Sequence, residues 1–120
     1  MKKYILIMTL LFSVNSFSTT GNELHGLMTS ENPSNKIQGE SYIMGVMDTM
    51  SSYKTTEINL AARLKRKPNL HIFICPSDVI YSQGFDLVKN YLVNHPETRN
   101  KPASVLIYWA LSEAWPCLLN

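Results

Sequence analysis

The sequence has few residues on which catalysis could be built. Its 120 residues include only three histidines and two cysteines. It contains no His-Glu-x-x-His pair, no Gly-x-Ser-x-Gly elbow and no glycine-rich loop that could cradle a phosphate. His71 and Cys75 have a spacing that could bind a metal, but two ligands do not make a site. We therefore expect no enzymatic activity, no metal and no cofactor.

The first eighteen residues are typical of a secretory signal peptide. Lys2-Lys3 forms a basic start, Tyr4 to Phe12 is an almost unbroken apolar run, and Ser16 to Ser18 places small residues where a signal peptidase cuts. The apolar run is well short of the roughly 20 residues that a spanning helix needs, and no cysteine follows it to carry a lipid. We predict cleavage after Ser18, with Gly21 as an alternative, and one exported periplasmic domain over 19–120 without a membrane anchor.

The charge balance points to no particular class of partner. Lysine and arginine number 11 and aspartate and glutamate 9, which gives a formal net charge of +2. Lys2 and Lys3 lie in the predicted signal peptide, so the exported chain has equal numbers of basic and acidic residues. Nothing in this balance indicates a nucleic acid or a membrane surface.

The only two cysteines, Cys75 and Cys117, stand at the two ends of the C-terminal stretch. Between them lie two apolar helices joined by the short turn from His95 to Pro102, and a short connection favours antiparallel helices. The chain then leaves and returns at the same end, which brings the two cysteines together. Because exported proteins meet oxidising conditions, we predict a Cys75–Cys117 disulfide that closes this hairpin.

Apolar spacing predicts an all-α fold, a small single-domain bundle of about four helices. A short helix is expected over 22–28, and a second begins at Asn35, which can cap it with Gln38. Thr55-Thr56 disfavours its continuation, so only a frayed or short helix is expected over 57–67. Leu70 to Ile74 is expected as extended chain packed on helices, because no second strand is available to pair with it.

The C-terminal hairpin can be predicted in more detail. Ser77 caps a helix that starts at Asp78, and His95-Pro96 ends it because a residue before proline avoids the helical region. Pro102 opens the last helix, where its missing N–H costs nothing. The buried stripes expected are Ile80, Gly84, Leu87, Val88, Tyr91 and Leu92 on the first helix, and Leu106, Trp109, Ala110 and Ala114 on the second.

Two clusters each allow two interpretations. Met28, Met44, Met47 and Met50 could form an adaptable binding surface, although methionines at this spacing are more often core. The basic cluster comprises Arg63, Lys65, Arg66 and Lys67. It could be a patch for an acidic partner, although blocks this short are more often a solvated surface.

Short strings that follow one another along the mature chain point to a family. They are Tyr42-Ile43-Met44-Gly45-Val46-Met47-Asp48, Ile74-Cys75-Pro76, Gln83, Val88-Lys89-Asn90-Tyr91-Leu92, His95-Pro96-Glu97-Thr98-Arg99, Pro102-Ala103 and Ala110-Leu111-Ser112-Glu113-Ala114-Trp115-Pro116-Cys117. In this order and spacing, over most of the mature chain, the sequence resembles the Rap/Tai immunity proteins of type VI secretion systems.

The resemblance implies a small, all-helical, periplasmic protein that is often a dimer. It also implies the partner, which is a toxic peptidoglycan amidase of the papain-like cysteine peptidase class. The immunity protein occludes the active site of that amidase with an inserted loop. Many members have two further cysteines, near positions that match Met28 and Gly39 here, so the N-terminal half of this chain should be held by packing alone.

Loops on a rigid scaffold are the natural candidates for contact with such an effector. One is the turn of Glu97, Thr98, Arg99 and Asn100, in which Glu97 and Arg99 could instead only join the helix ends. The other is the connection that carries Glu57, Arg63, Lys65, Arg66 and Lys67. For a homodimer, the candidate contacts are aromatic residues off the main stripe, Tyr108 and Trp115.

A function of a different class is a small periplasmic chaperone-like or stress protein. Its adaptable client surface would be the methionine-rich helix with Met44, Met47 and Met50. Such proteins usually respond to acid through carboxylates and histidines, and the nine acidic residues and three histidines of this chain are unremarkable.

Overall fold

Helices account for most of the fold. The computed structural model describes residues 18–71, 73–75 and 80–117. In these residues the chain forms four α-helices and one 3-10 turn: α1 (Gly21–Met28), α2 (Pro33–Arg63), α3 (Tyr81–Asn94), the turn Pro96–Thr98 and α4 (Ala103–Ala114). The predicted all-α bundle is confirmed. The predicted signal peptide, apart from Ser18, lies outside the described residues.

One core joins all four helices. Helix α3 packs mainly on α4, and α1 packs mainly on α2. Full burial of one such aliphatic side chain stabilises the fold by roughly 1.5–3 kcal/mol. Each of the four α-helices contributes large, fully buried side chains to this core. They are Leu24, Ile43, Val88, Leu92, Leu106, Ile107 and Leu111.

Helix α2 is one continuous helix, so the predicted break at Thr55-Thr56 was wrong. The side-chain hydroxyls of Thr49, Thr55 and Thr56 donate to the carbonyl four residues earlier, at 2.8, 3.1 and 2.9 Å. These bonds give each hydroxyl a partner but do not themselves favour a helix. The low helix propensity of threonine is a weak preference, which the surrounding helix overrides. The 31 residues span about 46 Å. Between residues 51 and 63 the buried residue is Ala61.

Helix α2 also starts earlier than predicted, because Asn32 caps it instead of Asn35. The side-chain oxygen of Asn32 accepts from the Ser34 N–H at 2.9 Å, and Pro33 occupies the first helical position. Proline is favoured there because its missing N–H has no helical partner to lose. Pro33 is thus the first residue of the helix.

Helix α3 begins later than predicted. Ser77 and Asp78, the predicted cap and first residue, lie outside the described residues. Ile80 has an extended backbone and is 62 % exposed, so the helix starts at Tyr81 and the predicted burial of Ile80 was wrong. The predicted end at His95-Pro96 is confirmed.

Helix α4 buries a different stripe from the one predicted. Leu106 and Ala110 are buried as expected, but Trp109 is 37 % exposed and Ala114 is also exposed. Every residue from 105 to 111 is apolar, so hydrophobic periodicity could not select a face. Tertiary packing selects the stripe of Ala103, Leu106, Ile107, Ala110 and Leu111.

The predicted disulfide closes the hairpin. Cys75 and Cys117 are bonded, with their Cα atoms 4.8 Å apart. Beside the bond, the Cys75 N–H donates to the Trp115 carbonyl at 3.0 Å, and Ile74 pairs with Pro116 in an isolated antiparallel bridge. The segment before α3 is therefore fixed to the end of α4.

The N-terminal half is held by close packing between α1 and α2. A Cβ atom added at Gly39 would lie 2.8 Å from the Met28 sulfur and 3.1 Å from the Leu27 Cβ, so α1 packs closely against the backbone of α2 here. Met28 and Gly39 are the two positions at which the family resemblance implies further cysteines. Gly45, by contrast, has open space around it and serves no close approach.

The double replacement Cys75→Ser and Cys117→Ser should lower the free energy of unfolding by roughly 4 kcal/mol, because the bond closes a chain segment with a separation of 42 residues. Urea unfolding of the two proteins measures this. Reductant should lower the melting temperature of the wild-type protein to that of the variant and leave the variant unchanged. Two reactive thiols in the native wild-type protein would contradict the bond.

Candidate functional site

The three histidines do not converge on one site. His25 lies in α1, where burial and the nearby positive charge of Arg99 lower its pKa. His95 caps α3, and its ring stacks on Tyr91 with centroids 4.2 Å apart, which confirms it as a helix-end residue. His71 is exposed. Cys75, the second potential metal ligand, is bonded to Cys117. Among the described residues, no group of three or more potential ligands could hold a metal.

The turn at residues 97–100 is held from both sides. Backbone N–H groups of Gly21 and Asn22, at the start of α1, donate to the carbonyls of Lys101 and Arg99 at 2.9 and 2.8 Å. The Ala103 N–H donates in turn to the Thr19 carbonyl at 2.8 Å. The turn is thus a rigid junction between the start of α1 and the helices that it joins.

Arg99 in this turn caps helix α3. Its Nε donates to the Leu92 carbonyl at 2.5 Å, and one Nη donates to the Val93 carbonyl at 3.2 Å. The last carbonyls of a helix have no partner within the helix, so a guanidinium there is stabilising. Thr98 bonds the His95 carbonyl through its hydroxyl. Arg99 therefore joins the helix ends, whereas Glu97 and Asn100 are exposed.

The second candidate segment follows α2 and is clasped to it by Glu57. Both nitrogens at the end of the Arg66 side chain donate to the Glu57 carboxylate, at 2.7 and 3.0 Å. The backbone N–H of Asn69 donates to the same carboxylate at 2.7 Å. The hydrogen bonds from Arg66 and then Asn69 lower the pKa of Glu57 from 4.5 to about 2. The structure thus brings together two of the predicted effector contacts, Glu57 and Arg66, as partners of each other.

Helix α2 ends in a Schellman motif with an unusual residue. The Arg66 N–H donates to the Ala61 carbonyl at 3.0 Å, and the Lys65 N–H donates to the Ala62 carbonyl at 3.2 Å. Lys65 has φ 51°, the left-handed conformation that usually belongs to glycine at this position. A side chain in that conformation costs about 1 kcal/mol.

Residues 63–67, which we call the α2 tip, present charge around an apolar side chain. Arg63, Lys65 and Lys67 are exposed, and Leu64 between them is 60 % exposed. No hydrogen bond or ion pair among the described residues joins the α2 tip to the turn at 97–100. Each of the two predicted contact segments is held by its own set of bonds.

An apolar groove of about 800 Å³ runs along α2, and the sequence analysis did not predict it. Residues of α2 form one wall, and Phe73 and Tyr108 form much of the other. The signal was present as apolar residues three and four apart, but the expected break at Thr55-Thr56 divided the stripe. The apolar residues of α2 in this groove, which we call the α2 groove, are Tyr42, Val46, Met50, Tyr53 and Leu60.

The methionines do not form one continuous surface. Met28 and Met47 are buried, Met50 is half-buried in the α2 groove, and Met44 is 37 % exposed. The core interpretation holds for Met28 and Met47. The client surface expected for a chaperone-like protein included Met47, but this residue is buried in the core.

The fold and these surfaces define a small, disulfide-closed all-α domain suited to binding another protein. The family model of the Rap1a immunity proteins matches residues 20–117. The match covers most of the chain, and the protein belongs to this family. Membership implies a type VI immunity protein that binds a cognate effector. No curated protein and no solved structure matches the sequence.

None of the helices in the described part of the chain combines the length and the apolar character needed to cross a bilayer.

Replacement of Glu57 by glutamine should make the protein less stable at neutral pH but not at low pH. The folded-state pKa of Glu57, about 2, lies below its ordinary value of 4.5. Its contribution to stability is therefore complete above about pH 4.5 and is lost as the pH falls towards 2. Urea unfolding of both proteins across this range measures the difference.

Arg66→Gln removes the two hydrogen bonds between Arg66 and Glu57 from the donor side and is the matched variant. It should lose most of the same pH-dependent stability. A difference between wild type and Glu57→Gln that does not change between pH 6 and pH 2.5 would contradict the clasp.

Proposed function

We propose that the protein is a periplasmic immunity protein that binds a cognate peptidoglycan amidase of the papain-like class and occludes its active site. The observation that carries the proposal is the family match over residues 20–117. The amidase target follows from the resemblance to the Rap/Tai proteins. A disulfide-closed domain also suits an inhibitor, because a rigid surface loses little entropy on binding.

The proposed periplasmic site of action rests on two further observations. The family match begins at residue 20, one residue after the predicted mature N-terminus at Thr19, so the predicted signal peptide of residues 1–18 lies outside the matched region. The Cys75–Cys117 bond also fits an oxidising compartment, since cytoplasmic thiols are kept reduced. Peptidoglycan, the proposed substrate of the effector, is in the same compartment.

Co-expression in the periplasm tests the proposed function. A papain-like amidase encoded beside this protein should kill the host when expressed alone in the periplasm and be tolerated with the full 120-residue chain. The matched control lacks residues 2–18; it should remain in the cytoplasm and fail to protect. The purified 19–120 domain should block cleavage of peptidoglycan stem peptides at an equimolar ratio. Cell death despite the full chain, with no inhibition in vitro, would refute the proposal.

The turn at 97–100 can be tested in the same assays without loss of the fold. Glu97→Ala with Asn100→Ala changes the exposed side chains of the turn, whereas Arg99→Ala would also remove the cap of α3. Unchanged inhibition by the Glu97 and Asn100 double variant would exclude those two side chains as an effector contact.

We also propose that the protein is a homodimer, as the resemblance implies, with the α2 groove at the contact. Of the two aromatics expected there, Tyr108 lines the groove, whereas Trp115 packs on the core. The groove also includes Tyr53, which is 65 % exposed and can be changed at little cost to the monomer.

Sedimentation equilibrium should give a dimer for the wild-type domain and a monomer for Tyr53→Glu, because a carboxylate in an apolar contact is costly to bury. Val93→Glu, at an exposed apolar residue of α3, is the control and should remain dimeric. A wild-type monomer at high concentration would refute the dimer, and a dimeric Tyr53→Glu would place the contact elsewhere.

A further inference from the structure

The α2 tip keeps a lysine where the backbone favours glycine. Lys65 is the left-handed residue of the Schellman motif, and it is the one non-glycine residue with positive φ among the described residues. A glycine would take this conformation without the clash of a Cβ atom. A strained residue on an exposed surface suggests that its side chain has a function.

The chain next to Lys65 is held in place by Glu57. The carboxylate binds the Arg66 guanidinium at two points and the Asn69 N–H at a third. Arg66 also donates to the Lys67 carbonyl at 3.1 Å. The backbone on both sides of Lys65 is thus fixed before any partner arrives, which lowers the entropy lost on binding.

Of the four cations in the basic cluster, Glu57 pairs with one and leaves three without an ion pair among the described residues. Arg66 is paired with Glu57, whereas Arg63, Lys65 and Lys67 project from the tip. Leu64, which is 60 % exposed, lies between Arg63 and Lys65 in the sequence. Protein contacts combine an apolar centre with a polar rim, and arginine is enriched in them.

We propose that the α2 tip is the surface by which this protein docks on its effector, and that the effector presents carboxylates around an apolar depression there. Leu64 enters the depression, and Arg63, Lys65 and Lys67 face the carboxylates. Glu57 and Arg66 are positioning residues that hold the tip and do not touch the effector. This inference rests on the proposed function, and it favours the α2 tip over the turn at 97–100, where Arg99 is occupied by helix α3.

The test uses the amidase that passes the co-expression experiment, with its catalytic cysteine replaced by alanine, as the binding probe. Association and dissociation rates with the full mature domain are measured at 50 and 300 mM salt. Lys65→Glu should slow association about tenfold at low salt and less at high salt, because exposed charges are screened. Leu64→Ser should mainly speed dissociation, again about tenfold.

Lys65→Gly separates binding from stability. It should raise the melting temperature, because strain is relieved, and yet slow association at low salt. A merely structural role for Lys65 would not produce this combination. Lys89→Glu, at an exposed lysine of α3, is the control for net charge and should leave both rates unchanged.

The outcomes distinguish this inference from the function on which it rests. Wild-type binding with the rates of Lys65→Glu and Leu64→Ser unchanged would overturn the docking surface and leave the proposed function standing. Failure of the wild-type domain to bind or inhibit the amidase would overturn both.

Discussion

The bond between Cys75 and Cys117 is the constraint on which the C-terminal half depends. It joins the segment that leaves α2 to the end of α4, and the pairing of Ile74 with Pro116 continues the junction into the backbone. The hairpin of α3 and α4 is therefore closed at one end by covalent chemistry. At its other end, three backbone hydrogen bonds join residues 99–103 to Thr19 and to the start of α1. Both ends of the hairpin are thus fixed, and the core forms between them.

This architecture divides the polar side chains into those that hold the fold and those that remain available. Arg99 satisfies the last carbonyls of α3, and Arg66 satisfies Glu57. Each has the residue type expected of a contact with a partner, yet each is occupied within the chain. The cations that remain available include Arg63, Lys65 and Lys67 of the α2 tip. An immunity protein gains from this arrangement, because groups already fixed by internal bonds present their neighbours in one orientation.

The sequence predicted the elements with strong local signals and failed where two signals competed. The end of α3 at His95-Pro96 and the disulfide were predicted because proline and paired cysteines have few alternatives. The break in α2 was wrong because the low helix propensity of Thr55 and Thr56 is a weak preference, which the surrounding helix overrides. The buried face of α4 was wrong because its residues are apolar on all sides, and only packing could choose among them.

The sequence by itself determined the helical class, the pairing of the two cysteines and the resemblance to an immunity family. These follow from composition, spacing and short strings that are read along one chain. Only the tertiary structure decided that Glu57 and Arg66 bind each other and that Phe73 and Tyr108 meet α2 to form the α2 groove. The physical reason is distance along the chain. The partner of a side chain can lie nine or more residues away along the chain, as Arg66 does from Glu57. Hydrophobic periodicity does not indicate which distant residue will be that partner.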